Sequence, residues 1–255
     1  QLAVKGDFVD VVLDGEFAYT LLPVSFKRIV GKYFPSLIPE NGTVSYSRNN
    51  FTFSLHLADS DFYPLVLGIP LSLSPDLTLQ GYVDDKNGLM KINGYSPMIV
   101  YGKNHFESLT LNCMNNQNFI LAEARATKYQ EEDSNMSMVV YLQGSCDNLN
   151  ARFSWGNDAV STYAGKLETN VTFSRANKRS PHLQADIRLV PSQIILNDTV
   201  WQVQETSILV DSGYIDIRDL LVENNEQFLR VNGRLATAPT DSLEVELNNV
   251  NVKYI

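Results

Sequence analysis

From Asn41 onward, apolar and polar residues take turns along the chain, and this period of two constrains the fold more than any other feature. In Phe51-Thr52-Phe53-Ser54-Leu55-His56-Leu57 the odd positions are greasy and the even ones wet, the signature of a strand with one covered face. The same rhythm returns at Leu77/Leu79, Leu109/Leu111, Val139/Tyr141, Phe153/Trp155, Leu167/Val171/Phe173, Ile215/Ile217 and Leu243/Val245/Leu247. Asn, Asp, Gly and Ser separate these pieces, and Asp84-Asp85-Lys86-Asn87-Gly88 reads as a hairpin turn. Many short strands with frequent turns predict an all-β architecture.

One segment departs from the rhythm. Phe26, Ile29, Val30, Tyr33 and Phe34 recur at helical spacing within 22–35, predicting a short amphipathic helix stopped by Pro35. Such a helix either plugs the end of the β layer or contacts a partner or membrane, and the few basic residues nearby favour the plug.

The chain also echoes itself. Ser108-Leu109-Thr110-Leu111-Asn112, Asn116-Gln117-Asn118-Phe119-Ile120 and Arg125-Ala126-Thr127 are matched by Asp219-Leu220-Leu221-Val222-Glu223, Asn225-Glu226-Gln227-Phe228-Leu229 and Arg234-Leu235-Ala236-Thr237. The copies lie about 110 residues apart, beyond the usual solenoid period. They suggest repeat units over 98–146 and 208–255 within one continuous segment, 1–255, of a repeat-built sheet in which each unit supplies the next with a neighbour.

Composition then removes function classes. The 255 residues are 44% hydrophobic and 19% charged, with a net charge of −9, so a broad electrostatic surface for nucleic acid is excluded. An apolar ligand held by burial is not. Three histidines, His56, His105 and His182, sit on a polar strand face or at strand starts and read as surface residues. No Gly-x-Ser-x-Gly elbow, phosphate-cradling Gly loop or His-Glu-x-x-His pattern is present, and Asp59 with Asp61 reads as a solvated loop. Neither a metal nor a cofactor is expected, and no catalytic residue. Two cysteines, Cys113 and Cys146, make no disulfide framework; they either stay free thiols or pair once in an oxidising compartment. No apolar stretch reaches the ~20 residues of a membrane-spanning helix. The chain opens on Gln1 without a signal-peptide pattern, and the expectation is a segment of a longer protein.

Pro191-Ser192-Gln193-Ile194-Ile195-Leu196-Asn197-Asp198-Thr199-Val200-Trp201, followed by Ile215-Asp216-Ile217-Arg218-Asp219-Leu220 and Leu229-Arg230-Val231-Asn232-Gly233, resembles the TamB family, the inner-membrane component of the translocation and assembly module, as found in Bacteroidetes-type bacteria. Leu77-Thr78-Leu79-Gln80-Gly81 and Asn148-Leu149-Asn150-Ala151-Arg152-Phe153-Ser154-Trp155 carry the likeness into the preceding half, so that it spans 42–255. The resemblance implies an elongated, curled antiparallel sheet with an apolar inner groove, similar also to AsmA-like and bridge-like lipid-transfer proteins. It implies a periplasmic location, a parent chain anchored in the inner membrane of a Gram-negative bacterium, and phospholipid acyl chains as cargo. A BamA-like outer-membrane protein would be engaged by other parts of the parent.

The groove lining expected from the alternation is Phe51, Phe53 and Leu55; Leu109, Leu111 and Phe119; Phe153, Trp155, Leu167, Val171 and Phe173; and Trp201, Ile215, Ile217, Leu243, Val245 and Leu247. The competing expectation is an extracellular polysaccharide-binding or -degrading protein, with Tyr82, Tyr95 and Tyr101 in a row near Asp84 and Asp85.

Overall fold

The structure, a computed structural model, describes residues 1–38, 49–57, 71–129, 135–157, 163–175, 182–236 and 241–250. Asp59 and Asp61 lie outside them. The described chain is all-β: one 18-stranded antiparallel sheet and a single α-helix preceded by one turn of 3-10 helix.

The strands are β1 (Leu2–Lys5), β2 (Val9–Glu16), β3 (Asn50–Leu57), β4 (Leu71–Leu73), β5 (Leu77–Asp84), β6 (Leu89–Tyr101), β7 (Asn104–Asn115), β8 (Ile120–Lys128) and β9 (Met136–Ser145). They continue as β10 (Asn148–Gly156), β11 (Tyr163–Arg175), β12 (Leu183–Leu189), β13 (Ser192–Leu196), β14 (Thr199–Val203), β15 (Thr206–Asp211), β16 (Tyr214–Asn224), β17 (Gln227–Ala236) and β18 (Leu243–Asn248). The helix α1 (Leu22–Gly31) lies between β2 and β3.

Pairing runs from each row to the next in the chain. Three rows are interrupted strands rather than crossovers. β4 and β5 share the flank of long β6, β12 and β13 share the flank of β11, and β14 and β15 both pair with β16. Pro191, at the break between β12 and β13, has no N–H to give the ladder, which is where a strand can be interrupted at least cost.

The two echoed segments form equivalent hairpins, β7–β8 and β16–β17. Each carries a register shift at the same place, between Glu107 and Thr110 and between Ile217 and Leu220. At each shift one residue takes a left-handed backbone, Ser108 with φ 52° and Asp219 with φ 55°. A bulge of this kind sharpens the local twist, so both copies bend their sheet at the same step.

The curl of the sheet follows from what α1 touches. Asn49, at the start of β3, donates to Ser25 Oγ on the helix at 2.7 Å, while Arg175, at the end of β11, donates to the Ser36 carbonyl. Seven inter-strand steps separate these anchors along the ladder, a span of about 34 Å if flat, whereas a ten-residue helix is about 15 Å long. The sheet closes that difference by wrapping around the helix.

The expected helix 22–35 ends at Gly31, earlier than the periodicity suggests. Phe34 precedes Pro35, which disfavours helical backbone there, and a turn with Ile38 N–H bonded to Phe34 O at 2.9 Å replaces it. The apolar stripe nevertheless works as read: Ile29, Tyr33 and Phe34 are buried with Phe51, Val83 and Met90, and Phe26 and Val30 pack against them. The hairpin β1–β2 was not among the expected strands, although Val9, Val11 and Leu13 alternate with Asp10 and Asp14.

Candidate functional site

Two ladders of directly paired residues define the inner face. Val11, Leu55, Leu79, Gly94, Leu111, Ala124, Val140, Phe153 and Leu167 stand side by side from β2 to β11. Ile120, Gly144, Leu149, Val171, Ile187, Ile208, Ile217, Gly233 and Leu243 continue the same face from β8 to β18. One register position away the ladder reads Val12, Ser54, Gln80, Asn93, Asn112, Glu123, Tyr141, Arg152 and Glu168, which is the wet outer face. Apolar residues are thus gathered on one side across the whole sheet.

Of the residues expected to line a groove, all but Phe119 sit on strands and share this face. Phe119 lies in the β7–β8 turn, where its N–H and carbonyl bond back to Asn116, because Asn116-Gln117-Asn118 forms the connection and β8 begins only at Ile120. Several inner positions were missed, among them Val83, Met90, Val140, Ile187 and Ile208; each lies at the even spacing that a closer reading of its strand would have found.

Small residues shape the lining. Any side chain at Gly144 would place its Cβ 2.1 Å from the tip of the Phe34 ring, so only a bare backbone lets the ring reach that strand. Gly165 accommodates the Trp155 indole in the same way, at 2.5 Å, and Trp155 is stacked on Phe153 with centroids 5.1 Å apart.

Burial along this face is uneven. Under α1 it is a dry core, with Val83 at 0% and Met90 at 3% exposure. A second dry point lies at Trp201 and Val203. Beyond the helix most inner residues are only half-buried, and toward the last strands Leu235, Val245 and Leu247 are half-exposed or more.

The helix end is closed by polar ties as well as packing. Arg28 pairs with Asp85, whose side chain has no exposed surface, and Ser25 Oγ donates to Asp85 at 3.1 Å. Tyr33 donates to the Asn116 carbonyl and accepts from Asn115 Nδ2 at 2.7 Å. Ser36 donates through N and Oγ to the Asp147 carboxylate at 2.7 and 2.9 Å. The turns β5–β6, β7–β8 and β9–β10 are therefore all fastened to the helical segment, at the same end of the sheet.

These ties also bear on the aromatic row. Tyr82 and Tyr95 do face outward, paired with Thr52 and Thr78, and Tyr101 lies exposed at the far end of β6, opposite Asn104, but Asp85 turns in to Arg28 and Asp84 holds Asn87 in the turn. Asp84 and Asp85 are thus both engaged away from the tyrosines.

Outer-face charges pair across and along strands. Glu168 is held below the ordinary carboxylate range by the Asn150 amide, against a small cost of burial, with help from Arg152 and Lys166. A polar hollow of about 360 Å³ lies over Asp219, Arg230, Asn232, Glu244 and Glu246, an ion-paired patch of that same face. Cys113, on the inner face beside Ile92 and Ala122, is a free thiol raised by burial, and Cys146 is free and exposed. Among the described residues no cluster could hold a metal ion, and no helix is long and apolar enough to cross a membrane.

No family model, curated protein or solved structure matches the chain.

Proposed function

We propose that this chain is a non-enzymatic, lipid-handling segment whose inner face accepts phospholipid acyl chains, as part of a periplasmic bridge that carries phospholipids between inner and outer membrane and supports outer-membrane protein assembly. One observation carries the reading: an apolar face runs unbroken across the sheet but is buried mainly where α1 covers it. Each Å² of such surface left wet costs about 25 cal/mol, and hydrocarbon relieves that cost without needing any polar match. The acidic balance does not oppose it, because burial of acyl chains is indifferent to net charge.

The test is lipid content. Protein purified without detergent is extracted and its phospholipid counted by mass spectrometry, for wild type, Val171→Asp on the inner face and Ser54→Asp on the outer. Bound phospholipid should fall about tenfold in the first variant, since a carboxylate forced against hydrocarbon is costly, and stay unchanged in the second. Lipid-free wild-type protein, or equal loss in both variants, would refute the proposal.

A further inference from the structure

The outer face of the sheet divides into two unlike halves. Over β10–β17 its polar side chains satisfy one another. Asn150 donates to Glu168 and Asn170, Thr172 to Asn148 and Gln184 to Asp211, and Arg234 lies over the Tyr214 ring. Over β5–β7 the same face is left unknit. Tyr82 on β5 is 38% exposed and Tyr95 on β6 44%. Between their rows runs a row of amides, Gln80, Asn93 and Asn112, on three adjacent strands. Among the described residues, none of these five side chains has a hydrogen-bond or ion-pair partner.

Register fixes the spacing. Tyr82 pairs with Lys91, and Tyr95 stands four residues further along β6, so their Cα atoms are about 14 Å apart. That gap is too wide for one sugar ring to bridge and suits a chain of several. Each amide brings two donors and an acceptor, the complement of hydroxyl groups that both donate and accept. Each tyrosine brings an apolar ring face for the C–H side of a sugar, a large contact at low entropic cost. Charge narrows the ligand further. Arg125 beside the patch is held by Glu123, and the whole chain, at −9, repels a polyanion. Lys91, next to Tyr82, disfavours a polycation. Asp84 and Asp85 are engaged in the turn and with Arg28, so the patch offers contact rather than paired carboxylates for cleavage.

We propose that this patch binds a neutral polysaccharide chain, with sugar rings on Tyr82 and Tyr95 and hydroxyls on the amides between them. The inference stands apart from the acyl-chain reading, which uses the opposite face.

Affinity electrophoresis through gels holding hydroxyethylcellulose, laminarin, galactomannan or anionic polygalacturonate tests it. Wild type should be retarded by at least one neutral polymer, and more than by polygalacturonate. The hexasaccharide of that polymer should bind about tenfold or more tighter than its monosaccharide, because only the longer ligand reaches both rings. Tyr82→Ala with Tyr95→Ala should weaken binding by on the order of tenfold. Gln80→Ala with Asn93→Ala, which removes no ring, should lose several-fold. Tyr214→Ala, an outer-face tyrosine in the knit half, should migrate as wild type. Circular dichroism verifies each fold, and should the ring variant fail it, the amide variant decides alone. Absence of retardation by every neutral polymer, stronger retardation by polygalacturonate, or wild-type binding in the folded ring or amide variant overturns the proposal. An equal loss in Tyr214→Ala overturns it as well, since binding would then not depend on this patch.

Discussion

Removing Arg28 should loosen the closed end more than any exposed substitution. Asp85 is wholly enclosed and Arg28 keeps 20% of its side chain in solvent, so Arg28→Ala strands a buried carboxylate without its counter-charge. Breaking a buried pair this way costs about 3–5 kcal/mol, and the partial exposure of Arg28 puts the expectation near the lower figure. For 255 residues unfolding with about 0.5 kcal/mol per degree, about 3 kcal/mol lowers Tm by about 6 °C. Replacing both partners, Arg28→Met with Asp85→Leu, removes the stranded charge along with the pair. Ser25 then retains the Leu21 carbonyl, 3.2 Å away, as its acceptor. The double variant should therefore lie within about 1 kcal/mol of wild type, so the two changes couple by at least ~2 kcal/mol. Urea titration followed by tryptophan fluorescence measures the four corners of that cycle: wild type, Arg28→Met, Asp85→Leu and the double variant. Additive single-variant losses would show that the pair does not fasten the helix and would undo the argument for a closed end.

Further outcomes follow from the same contacts. Gly144→Ala should cost about 1–3 kcal/mol by driving the Phe34 ring off its strand, and adding Phe34→Leu should restore part of it; a neutral Gly144→Ala in thermal melts contradicts the packing. Because the Glu168 carboxyl is depressed by the Asn150 amide and then Arg152 and Lys166, its contribution is present above the ordinary glutamate pKa and lost as pH falls through the lower folded value. Urea midpoints should thus decline below about pH 4.5, with a shallower slope in Glu168→Gln, and identical slopes would be the contrary result. Maleimide should modify exposed Cys146 well before Cys113, whose thiol burial holds protonated, and bound lipid should slow Cys113 further; equal rates for both would speak against an occupied inner face.

The sheet was legible because its signal is local. Alternation at Phe51–Leu57 or Phe153–Trp155 fixes a face within a few residues, and the pairings then place those faces together. The helix was legible for the same reason, although its end was not, since Pro35 acts on the backbone of Phe34 rather than on the apolar stripe. What lay hidden was long-range. Asp85 reads as one turn acid among others, and nothing near it announces Arg28, which is 57 residues earlier. The curl was expected, but its cause was hidden, because it depends on one short segment reaching both Asn49 and Arg175. Ser108 and Asp219 look unremarkable singly, and only the echo around them hinted that they share a backbone conformation. At β1–β2 the alternation was present but short, with Val12 on the polar side blurring it.

Row-by-row pairing carries a consequence for how such a molecule is made and varied. Each new strand leaving a ribosome or a translocation pore finds its edge already waiting, so the sheet can zip vectorially without a distant segment having to return. Only α1 must wait, since Arg175 closes over Ser36 after β11 has joined; the lock is the late event and the ribbon the early one. Hairpins can likewise be gained or lost beyond that lock without rethreading anything, which leaves the ribbon's length a quantity that evolution, or a designer, can set one hairpin at a time.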